Sequence, residues 1–172
     1  LSLTGLLVKI VAAALVRHPR ANASLENGRL RLNGAINIGV AIGSEQGLVV
    51  PVIRQAEQKT LAQVTSELAD FQEKARRMHF RPEDLSDGTF TISNLGMFGV
   101  ERFAAIVNPP QSAILAVGAV VKAPIVLHDG RIEARSQMAL SVTIDHRVMD
   151  GLQGARFLSE LKEKIETPYF LI

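Results

Sequence analysis

The residues best suited to chemistry lie near the end of this 172-residue chain, where a histidine stands between charged side chains. The sequence reads DHRVMDG over residues 145–151, directly after the apolar, β-branched stretch 139–144. A strand holds the residues at its end rigidly, and the loop that follows leaves them open to a substrate. Because an imidazole moves protons well near neutral pH, His146 is a candidate general base. The alternative interpretation is a core histidine paired with a neighbouring carboxylate.

The residues around His146 have structural interpretations of their own. Asp150 directly precedes a predicted helix, and aspartate is a preferred N-cap residue. Asp145 and Arg147 flank the histidine, so we expect them to point away from a substrate and to form an ion pair or a subunit contact. These carboxylates and the imidazole do not have a defined metal-ligand spacing, so we expect no metal site. The remaining histidines are all predicted at the surface: His18, His79 and His128.

Hydrophobic periodicity predicts the elements that position these residues. Helices are predicted over residues 5–17 with Thr4 as the N-cap, over 60–78, and over 150–165 with an apolar stripe of Ala155, Leu158, Leu161 and Ile165. Strands are predicted over 29–42, with a turn signal at Asn33-Gly34, and over 48–54, 89–93, 112–117 and 139–144. A hairpin over 123–135 is predicted to turn at 128–130. Because strands and helices interleave, we expect an α/β layered domain.

Composition excludes several classes of protein. With 47% hydrophobic and 21% charged residues, the chain can bury the core of one domain. A net charge of +2 is too small to indicate a nucleic-acid surface, and the absence of cysteine excludes disulfides and thiolate chemistry. The most apolar stretch, 6–16, is shorter than the roughly 20 residues that span a membrane, and it lacks a signal-peptide pattern. We therefore expect neither a membrane protein nor a secreted one.

Four blocks of sequence follow one another in a distinctive order. They are IGVAI and GLVVPVI within residues 38–53, TFTISNLGMFG over 89–99, AIVNPPQSAILAVG over 105–118, and the His-x-x-x-Asp-Gly pattern of 146–151. Together they resemble the acyltransferase (E2) core of the 2-oxo acid dehydrogenase complexes, over residues 3–172. The SNLGMFG segment over residues 93–99 is most similar to that of the pyruvate-type dihydrolipoamide acetyltransferases.

The resemblance implies a fold and an activity. The fold would be a mixed sheet with helices on one side, as in chloramphenicol acetyltransferase, in a single catalytic domain over residues 1–172. The activity would be transfer of an acyl group from S-acyl-dihydrolipoyl-lysine to coenzyme A, and the expected acyl group is acetyl. The lipoyl group would belong to a separate domain, and we expect no lipoyl or subunit-binding domain in this sequence. Because family catalytic domains begin with a further helix and strand, we expect that segment to be missing here.

The resemblance also assigns roles to residues. His146 would be the general base that takes the thiol proton, which is worth roughly 10²–10⁴-fold in rate. Ser93 would stabilise the oxyanion, although local sequence alone favours a serine in a turn. Asp150 would support the active site. Asn108, in the Asn-Pro-Pro segment, would contact the substrate channel.

Assembly is implied as well. The family forms homotrimers, with His146 and Ser93 meeting across a subunit boundary, and the trimers build a large core particle. The lipoyl domain and the E1 and E3 components would be partners through N-terminal domains, in the bacterial cytoplasm or the mitochondrial matrix. The last residues are predicted to form an oligomer contact because they end the chain on an apolar cluster, although they could instead fold back on their own core. They are Tyr169, Phe170, Leu171 and Ile172.

Two other functions remain open on sequence alone. The chain could be a non-catalytic structural core or binding-protein relative of the same fold, and such relatives can lose the histidine. It could also be a stand-alone acetyltransferase of the chloramphenicol type, which shares His-x-x-x-Asp-Gly. The presence of both His146 and Ser93 favours catalysis, and the Asp-His-Arg form with the SNLG block argues against the stand-alone enzyme.

Overall fold

The structure, a computed structural model, describes residues 2–44, 47–77 and 79–168. Three α-helices in these ranges are α1 (Leu3–Arg17), α2 (Leu61–Arg77) and α3 (Gly151–Glu166). The strands are β1 (Ala23–Glu26), β2 (Arg29–Leu32), β3 (Ile38–Ser44), β4 (Gly47–Val49), β5 (Val52–Ile53), β6 (Phe90–Asn94), β7 (Ala113–Val126) and β8 (Ile132–Ile144). None of the helices in the described ranges is long and apolar enough to cross a membrane.

The larger sheet is mixed, as predicted. Its strand order is β4-β3-β6-β7-β8, with β5 beside the start of β3. The strands β3, β6 and β7 run parallel to one another, whereas β8 is antiparallel to β7 and β4 is antiparallel to β3. β1 and β2 form a separate two-stranded sheet. β6 therefore lies in the middle of the large sheet between two parallel neighbours.

Alternate residues of the central strands face the helices. Phe90 and Ile92 of β6 are fully buried in an apolar core to which all three helices contribute. The ring of Phe157 from α3 meets the ring of Phe90 edge-on, with centroids 5.7 Å apart. Because successive side chains on a strand point to opposite faces, Ser93 lies on the face of the sheet that points away from the helices.

The helix boundaries follow the predicted periodicity, and two details of the prediction are wrong. α1 begins earlier than expected, because the Ser2 hydroxyl accepts the hydrogen bond from the backbone N–H of Gly5 (3.0 Å), so Ser2 and not Thr4 is the N-cap. The apolar stripe predicted on α3 is correct for Leu158, Leu161 and Ile165, which lie in or against the core. It is wrong for Ala155, which is exposed, while Gly154 and Phe157 are buried. The face of α2 is as predicted, with four apolar residues buried: Val64, Leu68, Phe71 and Ala75.

His18 is not the surface residue that its position beside a proline predicted. Its Nε2 lies 2.8 Å from the carboxylate of Glu160 on α3, and its ring packs edge-on against Phe157 with centroids 5.5 Å apart. The imidazole is half-buried as a result, with 21% of the side chain exposed. It ties the end of α1 to the middle of α3.

The strand predicted over residues 29–42 is two strands separated by an irregular segment. A further strand, β1, precedes it and was not predicted. β1 and β2 turn at Asn27 and Gly28, whose φ values of 49° and 74° are the left-handed pair of a two-residue hairpin. The sequence contains Asn-Gly twice, and the turn forms at the first pair rather than at the predicted Asn33-Gly34.

The segments predicted over 112–117, 123–135 and 139–144 form one long hairpin, β7 and β8, which turns at 127–131 as predicted. The pairing shifts register between Val117 and Val120. At that point Gly118 packs directly under the backbone of Glu101, where any Cβ would overlap the Glu101 carbonyl. The strand predicted over residues 48–54 forms as two short strands, β4 and β5. β4 lies at the edge of the large sheet, and 70% of Leu48 is exposed.

Candidate functional site

The turn after β8, residues 145–148, presents His146 and is called the histidine turn below. Asp145 extends the β7–β8 ladder by one step, since its N–H donates to the carbonyl of Ser112 (2.8 Å). The N–H groups of Val148 and Met149 then donate back to the carbonyl of Asp145 (2.9 and 3.2 Å). Both of these apolar residues are buried, while His146 is exposed. The imidazole is therefore presented at the surface by an anchored turn, and the interpretation of a core histidine is wrong.

Asp145 and Arg147 form the predicted ion pair inside this turn. The guanidinium contacts both carboxylate oxygens, with Nη2 2.6 Å from Oδ2 and Nε 2.9 Å from Oδ1, and the backbone N–H of Arg147 also donates to Oδ1 (3.0 Å). The hydrogen bond from Arg147 holds the pKa of the Asp145 carboxyl below its ordinary value. The ionised carboxylate thus closes the turn around His146.

Asp150 is the N-cap of α3, one of the two roles considered for it. Its Oδ1 accepts the N–H of Gln153 (2.8 Å), and the Gln153 side chain accepts the N–H of Asp150 (3.0 Å), which completes a capping box. The N-cap of the helix is therefore fixed four residues after His146.

Ser93 is a strand residue and not a turn residue. It pairs with Ala41 of β3 on one side and with Ala116 of β7 on the other, and it is half-buried. The tight turn begins one residue later, where the Asn94 side chain accepts the N–H of Gly96 (2.9 Å). Within the described residues the Ser93 hydroxyl has no hydrogen-bond partner. It is free to donate to a ligand on the helix-free face of the sheet.

The chain does not bring Ser93 and His146 together. Ser93 lies level with Ala116 of β7, whereas Asp145 is bonded to Ser112, four residues back along that strand and one strand further across. At about 3.3 Å per residue and about 4.8 Å per strand, the Cα atoms of Ser93 and Asp145 are roughly 16 Å apart. A single copy therefore does not place the imidazole and the hydroxyl on one substrate atom.

Asn108 lines a cavity of about 530 Å³ at the amino-terminal ends of β6 and β7. The walls come from the β1–β2 hairpin, the segment before β6 and the Asn-Pro-Pro segment, and their polar side chains include Asn33, Asn37, Arg54 and Gln111. Neither Ser93 nor His146 lines this cavity. Asn108 is exposed, so its amide can reach a ligand there.

Two residues that contact the histidine turn were not predicted from the sequence. Ser112 is completely buried and accepts the N–H of Asp145 on its carbonyl. Arg20 reaches from the connection after α1 to the carbonyl of Val148 (2.8 Å). The NPPQS block contains Ser112 and could have indicated it, whereas Arg20 lies 128 residues from its partner and has no local signal.

Among the residues that the structure describes, no group of three or more histidines, aspartates and glutamates lies close enough to hold a metal ion.

Comparison with known proteins identifies relatives of the whole chain. A family model described as the catalytic domain of the 2-oxoacid dehydrogenase acyltransferases matches residues 1–172. The dihydrolipoyllysine-residue acetyltransferase component of the pyruvate dehydrogenase complex of Rickettsia bellii is 42% identical over 172 residues, which are 100% of this chain and 41% of that protein. The succinyltransferase component of the 2-oxoglutarate dehydrogenase complex of Cupriavidus necator is 41% identical over 165 residues, which are 96% of this chain and 39% of that protein. The chain thus spans about two fifths of the length of these relatives.

Solved structures agree with the fold. The cubic core of the pyruvate dehydrogenase multienzyme complex superposes with a TM-score of 0.95 at 35% identity, over 99% of this chain and 71% of that chain. The Azotobacter vinelandii dihydrolipoamide acetyltransferase, studied for the catalytic roles of a serine, a histidine and an asparagine, gives the same TM-score, identity and coverage. That histidine and asparagine are four residues apart, as are His146 and Asp150. A chloramphenicol acetyltransferase at 18% identity and a TM-score of 0.57 shares the fold, as predicted.

Proposed function

The chain belongs to the catalytic-domain family of the 2-oxoacid dehydrogenase acyltransferases, and from this premise we propose that it moves an acyl group from S-acyl-dihydrolipoyl-lysine to coenzyme A. The observation that carries the proposal is the state of the two family site residues. His146 is exposed on an anchored turn, and the Ser93 hydroxyl has no partner within the described residues. Both side chains are available for chemistry.

The proposed reaction is a thioester exchange. An unprotonated nitrogen of His146 takes the proton of the coenzyme A thiol as its sulfur attacks the acyl carbonyl. A carbon–sulfur bond forms, and the carbonyl oxygen becomes an oxyanion that the Ser93 hydroxyl stabilises by donating a hydrogen bond. When this intermediate collapses, the bond to the lipoyl sulfur breaks, and that sulfur takes the proton from His146. The enzyme is returned to its starting state.

The separation of the two residues supports a site built from two copies. The Cα atoms of Ser93 and Asp145, the residue before His146, are roughly 16 Å apart. The hydroxyl and the imidazole therefore act on the same thioester only if each comes from a different copy. The similarity to the cubic core is consistent with a multimeric core, and we propose the homotrimer as its unit. The contact predicted for Tyr169, Phe170, Leu171 and Ile172 lies outside the described residues and stays a prediction.

We propose that the cavity lined by Asn108 is one end of the substrate channel and that Asn108 contacts substrate there. The cavity that it lines opens at the same end of the sheet as the histidine turn, because Gln111 and Ser112 connect the Asn-Pro-Pro segment directly to β7. Its polar walls suit the amides and hydroxyls of a pantetheine or lipoyl-lysine arm.

We propose further that the lipoyl group arrives on a separate lipoyl domain, and that the E1 and E3 components are partners of the whole complex. Relatives are bacterial, mitochondrial and chloroplastic components of such complexes. The bacterial cytoplasm or the mitochondrial matrix is the proposed location of this protein.

Acetyl is the proposed acyl group, on the strength of the SNLGMFG block. The relatives include an acetyltransferase component at 42% identity and a succinyltransferase component at 41%, so the acyl donor is tested directly. The test is transfer to coenzyme A from a panel of acetyl-, succinyl- and isobutyryl-dihydrolipoamide, measured with the purified protein. We expect acetyl transfer with a kcat/KM at least about tenfold above that of the other donors. Transfer from none of them would overturn the proposed function.

Asp150 allows its two roles to be separated by substitution. We expect Asp150→Ala to lower the free energy of unfolding by about 1 kcal/mol, because the N-cap acceptor is lost. Asp150→Asn keeps an N-cap acceptor and is expected to retain stability and to keep turnover within about threefold of the unmodified protein. Thermal unfolding and acyl transfer are measured on both variants. A loss of turnover in a fully stable Asp150→Asn would show that the carboxylate charge itself is needed.

A further inference from the structure

We propose that Arg20 is a positioning residue for His146, which it holds through the carbonyl of Val148. This inference rests on the proposed role of His146 in acyl transfer. Arg20 lies in the connection between α1 and β1, far in sequence from the histidine, and nothing in its local sequence suggests a part in the site. Its Nη1 donates to the Val148 carbonyl at 2.8 Å.

This hydrogen bond joins the connection after α1 to the histidine turn, and Ser112 holds the same two segments together through a second set of hydrogen bonds. The buried hydroxyl of Ser112 donates to the carbonyls of Arg20 and Ala21 (2.8 and 3.0 Å). The carbonyl of the same serine accepts the N–H of Asp145, which begins the histidine turn. Ser112 thus fixes the backbone of Arg20 next to Asp145, the first residue of the histidine turn. The Arg20 side chain bonds to Val148, the last residue of that turn.

The histidine turn is therefore held at both ends. The ladder bond to Ser112 fixes Asp145, and the guanidinium fixes the peptide that follows Val148. Val148 is only 2% exposed, so without Arg20 its carbonyl loses a charged hydrogen-bond donor in a buried position. The peptide after Val148 is then free to rotate toward another donor. His146 lies two residues earlier on the same turn. A displacement of about 1 Å at the imidazole can cost on the order of 100-fold in rate, so small rotations matter.

The contact differs from those of neighbouring cations. Arg17 is the last residue of α1, its side chain is 72% exposed, and it forms an ion pair with Glu160 at 3.7 Å. Arg147 pairs with Asp145 inside the turn and does not hold the turn against the rest of the fold. Arg17→Ala is therefore the matched control for Arg20→Ala, since it removes the same charge from the same region without touching the turn.

The experiment compares acyl transfer by Arg20→Ala, Arg20→Lys and Arg17→Ala in the assembled protein. We expect Arg20→Ala to lower kcat about tenfold with the KM for coenzyme A within twofold, because the base is displaced and substrate binding is intact. Arg20→Lys keeps a donor and should recover part of kcat. Added guanidinium ions should raise the kcat of Arg20→Ala and leave that of Arg17→Ala unchanged, which a general loss of stability would not produce.

A second readout is independent of activity. Amide hydrogen exchange of the peptide that covers residues 145–150 should be faster in Arg20→Ala than in Arg17→Ala, with the particle mass unchanged. If Arg20→Ala does not assemble, Arg20→Gln, which keeps much of the aliphatic stem, is tested in its place. A kcat within twofold of normal in the alanine or glutamine variant overturns the role of Arg20, provided that His146→Ala is inactive. If His146→Ala is itself active, the proposed mechanism fails, and exchange alone then decides whether Arg20 orders the turn.

Discussion

Replacement of His146 by alanine is expected to lower kcat by at least about 100-fold, because the coenzyme A thiol would have to lose its proton without a positioned base. The side chain is exposed on its turn and contributes nothing to the apolar core, so we expect the variant to fold and assemble normally. Steady-state acyl transfer from acetyl-dihydrolipoamide gives kcat, and light scattering gives the particle size.

His128→Ala is the matched control for this variant. His128 is also an exposed histidine, at the tip of the β7–β8 hairpin, and it belongs to no proposed site. Its loss should leave kcat unchanged. Near-normal turnover in His146→Ala would rule out the proposed base.

Ser93→Ala is expected to lower kcat by about 100-fold or more, with little change in the KM for coenzyme A. The hydroxyl would donate to an oxygen that is strongly charged only in the transition state, so its loss should not weaken the ground-state complex. The side chain has no hydrogen-bond partner within the described residues, and its removal should not destabilise the sheet. Initial rates over a range of coenzyme A concentrations separate the two parameters.

Ser93→Thr provides the control for the hydroxyl. Threonine keeps the donor, adds one methyl group and suits a strand, so we expect most of the turnover to remain. If Ser93→Ala instead raises KM and leaves kcat unchanged, Ser93 binds substrate and does not stabilise the oxyanion.

Local patterns in the sequence were sufficient for much of the fold. The apolar spacing of α2 and the strand that delivers His146 are as predicted, because each depends on residues that are close in the chain. The turn at 127–131 also forms where Asp129-Gly130 predicted it. The Asp145–Arg147 ion pair is local too, since its partners are two residues apart.

The features that the sequence did not predict depend on contacts between distant segments. His18 is half-buried because its Nε2 lies against the carboxylate of Glu160, which is 142 residues away in the chain. The turn at Asn27-Gly28 is chosen over an equal signal at Asn33-Gly34, because Asn33 is bonded across to Asn22 and Ser24. The separation of Ser93 from His146 follows from strand register, which periodicity alone does not give.

The central claim is that His146 of one copy and Ser93 of another form one catalytic site, and the most direct test mixes two inactive variants. His146→Ala and Ser93→Ala are co-expressed with different tags, and particles that contain both are purified and assayed. Only a site that takes His146 from a Ser93→Ala copy and Ser93 from a His146→Ala copy is intact, so random mixing in a symmetric oligomer predicts up to about one quarter of normal activity. Activity no higher than that of either variant alone would contradict the claim.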